Sequence, residues 1–124
     1  MAAARILLVE DEGLIRMVTA DYLRDEGFEV VEARDGDEAA RLLDACDGFD
    51  VLFTDVRMPG SLDGVDVAVR ARHRHPELPV LVVSGYAARL AIRLGALQPP
   101  AVFFDKPYAL REIVAALSRL TRRP

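Results

Sequence analysis

Five short apolar runs, separated by stretches of helical periodicity, leave few folds open to this chain. The runs are Ile6-Leu7-Leu8-Val9, Phe28 to Val31, Val51-Leu52-Phe53, Val80-Leu81-Val82-Val83 and Ala101 to Phe104. Most are continuous rather than alternating, the pattern of strands covered on both faces. Between them, Ile15, Val18 and Tyr22 share a helical face, as do Ala39, Leu43 and Cys46, and Val65, Ala68 and Val69. Residues 86–97 carry a sparser stripe of Leu90, Ala91 and Leu94, and the last segment a dense one of Leu110, Ile113, Val114, Leu117 and Leu120. Gly27 and Gly48 stand where helices stop, Asp35 and Asp63 where helices are capped, and His75-Pro76 with Leu78-Pro79 separates the third helix from the fourth strand. A β-α unit repeated five times predicts a parallel sheet with helices on both faces.

The 124 residues suit one domain, 1–124, and can bury a core without disulfides. The single cysteine, Cys46, has no partner in the chain and is expected to be a small buried hydrophobe. No apolar run approaches the length of a membrane span. Met1-Ala2-Ala3-Ala4-Arg5 runs straight into a strand without signal-peptide architecture, which predicts a cytoplasmic protein. The net charge of −4 argues against nucleic-acid binding. It is unevenly spread: residues 1–84 hold 9 basic and 18 acidic residues, residues 85–124 hold 7 and 2. The split fits either an ordinary solvated surface or a basic last third that presents a face to an acidic protein partner. Of the 16 basic residues only Lys106 is lysine, and it sits beside an apolar run.

In an open parallel sheet, ligands bind outside the carboxyl ends of the strands, where strand order reverses. Glu10, Asp11 and Glu12 follow the first run, Asp55 the third, Ser84 the fourth and Lys106 the fifth. An aspartate after a strand is commonly a turn former, and Ser84-Gly85 an ordinary turn pair. Taken together these positions point to one edge of the sheet. Glu10, Asp11 and Asp55 held close would repel, and a hard divalent cation removes that penalty. Mg²⁺ is bound by one or two carboxylates, keeps several waters and completes its shell with phosphate. With Lys106 as a second positive charge and Ser84 as a donor, the set suits phosphoryl transfer to a carboxylate.

The segments Ile6 to Glu12, Thr54-Asp55-Val56-Arg57-Met58-Pro59-Gly60, Val82-Val83-Ser84-Gly85 and Phe103-Phe104-Asp105-Lys106-Pro107 resemble the receiver domain of bacterial two-component response regulators. The resemblance covers essentially the whole chain. It implies a flavodoxin-like sheet in the order 2-1-3-4-5 and a phosphorelay function. Asp55 would be the phosphoacceptor. Asp11 and Asp55 would bind Mg²⁺ directly, Glu10 through water and Arg57 through its backbone carbonyl. Ser84 and Lys106 would hold the phosphoryl group, Ser84 and Phe103 would act as the switch, and Lys106-Pro107 would be a cis bond. The implied partners are a sensor histidine kinase or a phosphotransfer protein, and a downstream protein on the face of the fourth helix, fifth strand and fifth helix. A homodimer is compatible with that face; direct nucleic-acid or membrane contact is not expected. The chain would be an autocatalytic acceptor rather than a turnover enzyme.

Four features depart from the usual pattern. The loop Met58 to Gly64 is one residue longer, Phe103 lacks a tyrosine's hydroxyl, Asp105 stands beside Lys106, and the fourth helix is short and arginine-bearing. Only Thr121-Arg122-Arg123-Pro124 follow the last helix, so a stand-alone receiver without an output domain is expected. Three other readings compete. A haloacid-dehalogenase-type phosphatase would need an acid two residues past the nucleophile, where Arg57 stands. A nucleotide- or flavin-binding domain would need a phosphate loop after the first strand, where Glu10-Asp11-Glu12 would repel it. A phosphorylation-independent protein-binding module on the same fold would not need the intact acidic set with Lys106. His73 and His75, two apart, do not share a helical face and are expected to be solvated.

Overall fold

Each apolar run forms a strand and the helical stretches fall between them. The elements are β1 (Arg5–Val9), α1 (Gly13–Asp25), β2 (Glu29–Ala33), α2 (Gly36–Ala45), β3 (Val51–Asp55), α3 (Gly64–Arg74), β4 (Val80–Ser84), β5 (Val102–Asp105) and α4 (Leu110–Thr121). The computed structural model describes residues 3–85, 95 and 97–121. The helix expected over 86–97, with Arg89 and Arg93, lies almost wholly outside the described residues, so α4 is the fifth helix of the sequence reading.

All strands pair in parallel, in the order β2-β1-β3-β4-β5. Alternation along each strand divides the core in two. Leu7, Val9, Leu52 and Val82 face Leu43 of α2 and Ala68 of α3. Ile6, Leu8, Phe53 and Leu81 face Leu23 of α1 and Leu117 of α4. Two covered faces are why the strands read as unbroken apolar runs. The caps stand as expected: Asp35 accepts from Glu38 N, and Asp63 forms a reciprocal capping box with Asp66. Gly27 follows the end of α1 at φ 97°, a region that favours glycine, whereas Gly48, at φ 94°, is not a helix stop: it lies in the loop beyond α2, which ends at Ala45.

Several expectations need correction. The helix α1 does not bury Ile15, Val18 and Tyr22; it buries Thr19, Ala20 and Leu23. Small Ala20 and Thr19 let the helix lie close to the sheet, and this leaves Leu14, Ile15, Met17 and Val18 exposed. Cys46 is only half-buried, because α2 ends at Ala45 and Cys46 has left the helix in an extended conformation. Val69 is exposed too. β2 starts one residue later and runs to Ala33, since its partner β1 extends to Val9. His75 is not simply solvated: its Nε2 lies 3.5 Å from Asp47 Oδ1.

Arg72 is nearly buried on α3, and its two hydrogen bonds go to backbone carbonyls. Nε donates to Leu78 O at 2.6 Å and a terminal nitrogen donates to Pro99 O at 2.7 Å. Burial lowers its pKa from the usual arginine value. The side chain thus ties α3 to the segment leading into β4 and to the one leading into β5. Arg72→Ala is expected to cost about 2 kcal/mol by stranding those carbonyls. Urea unfolding measures it; a loss below about 0.5 kcal/mol would mean water takes over both bonds.

Candidate functional site

The carboxyl ends of β1, β3, β4 and β5 meet at one edge. Glu10 follows β1 directly and is 5% exposed. Its amide donates to Ala33 O at 3.1 Å, and its carbonyl accepts from Arg16 at 2.9 Å, which fixes the turn into α1. Asp55 is the last residue of β3 and is 7% exposed. Its Oδ1 accepts from Val56 N at 2.7 Å and its Oδ2 accepts from Lys106 Nζ at 2.6 Å. Glu10, Asp11 and Asp55 each place a carboxylate oxygen within 4.8 Å of the others. Ser84, 1% exposed, ends β4, and its carbonyl accepts from Lys106 N at 3.0 Å. Five of the predicted site residues are therefore brought together.

Electrostatics dominates this edge. At an effective dielectric of about 20, two like charges about 4 Å apart repel by about 4 kcal/mol, and one ammonium cannot offset three carboxylates. Burial pushes the Glu10 carboxyl from 4.5 up to about 7. The Glu12 amide opposes that rise, the Asp11 hydrogen bond and the Asp55 charge add to it, and Lys106 moderates it. For Lys106, burial works to lower the pKa, but the hydrogen bond and charge of Asp55, with Glu10 behind it, leave it raised. The rise at Lys106 and the Asp55 contribution at Glu10 reflect an excess of negative charge in the site, which adds to the burial that dominates at Glu10. Three hard oxygen donors around that excess fit a small divalent cation. Asp105 does not hold Lys106 away from Asp55, since the ammonium already lies on Asp55 Oδ2.

Other predicted residues stand around this centre. Arg57 is exposed on the loop after β3. Phe103, on β5, is half-buried against the α2–α3 side of the core. Lys106-Pro107 is cis. A cleft of about 410 Å³ opens beside the carboxylates, lined by Glu10, Ile15, Lys106, Pro107 and Tyr108.

Two supporting residues are not evident from sequence. Thr54 is buried and donates from Oγ1 to the Asp55 carbonyl at 2.7 Å. Gly64 begins α3 against that same carbonyl: a Cβ there would overlap Asp55 O and press on Thr54 Oγ1. The one available signal was a glycine directly after a helix cap, where it carries a propensity cost.

The chain matches the family model of the response regulator receiver domain over residues 6–118. It is 34% identical over 119 residues to the transcriptional regulatory protein CpxR of Escherichia coli (strain K12), covering 96% of this chain and 50% of that protein. The chain thus spans about half the length of such regulators. Among solved structures, a response regulator receiver protein from Sinorhizobium medicae WSM419 superposes with a TM-score of 0.88 at 29% identity, covering 96% and 94% of the two chains. The response regulator TrrA of Thermotoga maritima, in complex with Mg²⁺-BeF, superposes with a TM-score of 0.82 at 26% identity, covering 94% and 98%. The likeness therefore runs from β1 into α4 without a gap in the sheet, and the chain belongs to the response regulator receiver domains of two-component signalling.

Proposed function

We propose that Asp55 accepts a phosphoryl group from a sensor histidine kinase or a histidine phosphotransfer protein. Mg²⁺ would be held by Asp11, Asp55 and the Arg57 carbonyl, with Glu10 acting through water. The observation that carries this reading is the Lys106 ammonium 2.6 Å from Asp55 Oδ2, at a cluster of three carboxylates. The Mg²⁺-BeF complex of TrrA supports the choice of cation. When bound, the cation supplies positive charge against the phosphoryl oxygens.

The chain's own residues do the remainder. An Asp55 oxygen attacks phosphorus; the new P–O bond forms as the P–N bond to the donor imidazole breaks, and the electron pair leaves with that nitrogen. Lys106 moves its hydrogen bond onto a phosphoryl oxygen, and Ser84 donates to another. The acyl phosphate stays on the chain until water removes it, so the domain is an acceptor rather than a turnover enzyme. Ile15 of α1 lines the cleft beside Lys106, and Leu14, Met17 and Val18 are exposed on the same helix, an apolar surface on which a donor protein can seat its histidine. Ser84 and Phe103 would relay phosphorylation to the face that includes β5 and α4, which takes a downstream protein or a second copy. Among the described residues no helix is long and apolar enough to cross a membrane, which supports a cytoplasmic setting.

Incubation with Mg²⁺ and acetyl phosphate is expected to add roughly the 80 Da of one PO₃H unit. Intact-protein mass spectrometry reads it directly. The gain should vanish in Asp55→Ala; a gain that survives there rejects Asp55 as the acceptor.

A further inference from the structure

The loop from Val56 to Asp63 carries the Arg57 carbonyl, and the start of α2 holds that loop. Ser61 Oγ donates to Asp37 Oδ1 at 2.8 Å, joining the loop to the second residue of the helix. One residue earlier, a Cβ on Gly36 would overlap the Leu62 carbonyl, so helix and loop backbones already touch. Gly60, at φ 99°, turns over the same carboxylate, with its missing Cβ only 3.1 Å from Asp37 Oδ2. The loop ends are closed independently: Gly64 N donates to Val56 O at 2.9 Å, and the Asp63 capping box starts α3. Between those ends, the added length of the loop is restrained from α2.

We infer that Asp37 is a positioning residue for the cation, acting through Ser61 on the loop that presents the Arg57 carbonyl. This rests on the Mg²⁺ site proposed above and assigns it a support outside its ligands. A carbonyl on an untethered loop must be ordered when the cation binds, and that entropy is drawn from the binding free energy. With the tether made, the ordering is complete before the cation arrives. Linkage makes the effect reciprocal: bound Mg²⁺ strengthens the Asp37–Ser61 contact by the same factor. Asp37 also lies in the first turn of α2, where a negative charge favours the helix, so its substitution alone would mix two effects. Ser61→Ala separates them, because it frees the loop and leaves the helix sequence intact.

The test is Mg²⁺ titration by calorimetry of the whole chain, as wild type, Ser61→Ala, Asp37→Ala, the double variant and Gly36→Ala, with metal-free melts alongside. Ser61→Ala is expected to weaken Mg²⁺ about threefold at unchanged metal-free Tm, the lower end of the net worth of one solvent-exposed hydrogen bond. Added to Asp37→Ala, it should cause no further loss, because the two act as a pair. Gly36→Ala should weaken binding about tenfold, since the loop backbone must move. Wild-type affinity in Ser61→Ala, additive losses in the double variant, or a fall in metal-free Tm matching the affinity loss would each overturn the inference while leaving the Mg²⁺ site in place. A wild type that binds no Mg²⁺ would instead overturn the site itself and the inference with it.

Discussion

Gly64→Ala is expected to lose about 3 kcal/mol of stability, the upper end for inserting a methyl into packed backbone. For a chain of this size that lowers Tm by about 10 °C. The methyl would fall on the Asp55 carbonyl and against Thr54 Oγ1, and neither is a flexible side-chain end that can swing away. Either α3 withdraws or the end of β3 shifts. A shift of β3 reaches the site, because the displaced residue is the one whose Oδ2 meets Lys106 at 2.6 Å. A misplacement approaching 1 Å costs about a hundredfold in rate for a reaction that depends on alignment. The variant's phosphorylation by acetyl phosphate should therefore slow by about that factor even at temperatures where it is fully folded. Thermal melts and mass-spectrometric time courses check the two parts separately. A lowered Tm with a wild-type phosphorylation rate would mean that α3 backs away without moving Asp55, and wild-type values in both would overturn the prediction.

What the sequence made legible here follows from a topological regularity. Glu10, Asp55, Ser84 and Lys106 stand where strands end, and parallel strands all end on one edge, so their meeting could be inferred without coordinates. Asp35 and Asp63 were equally readable, since a capping aspartate acts on backbone two or three residues away. The face of α1 was not. Its large apolar residues suggested a stripe through Ile15, Val18 and Tyr22, yet Ala20 and Thr19 pack because closeness to the sheet matters more than side-chain size. Leu14 and Met17, at 71% and 52% exposed, are a surplus of apolar surface that the fold does not use. Gly36, Gly64 and the Asp37–Ser61 pair escaped notice because each is defined by a close approach between distant segments. Periodicity carries no trace of such an approach.

The Mg²⁺ affinity of the chain should rise steeply with pH and level off above about pH 7, and the metal-free protein should lose stability over the same range. Both follow from Glu10. Its carboxyl titrates at about 7 in the folded chain against a reference of 4.5. A raised carboxyl binds its proton more tightly folded than unfolded, so its contribution to stability is fully present below pH 4.5 and is lost as pH rises through about 7. A shift of this size corresponds to about 3 kcal/mol as a ceiling. Cation binding demands the ionised cluster and therefore expels the proton. Below pH 7 the dissociation constant should fall roughly tenfold per pH unit as that one proton is released. Calorimetric titrations in buffers of different ionisation heat count the proton, and urea unfolding without metal measures the stability arm. Glu10→Gln is expected to abolish the metal-free slope, because a neutral amide neither repels Asp11 and Asp55 nor takes up a proton. If wild-type affinity were flat from pH 5.5 to 8.5 with no proton released, Glu10 would be ionised throughout. The excess negative charge of the cluster would then be carried by solvent and Lys106 alone.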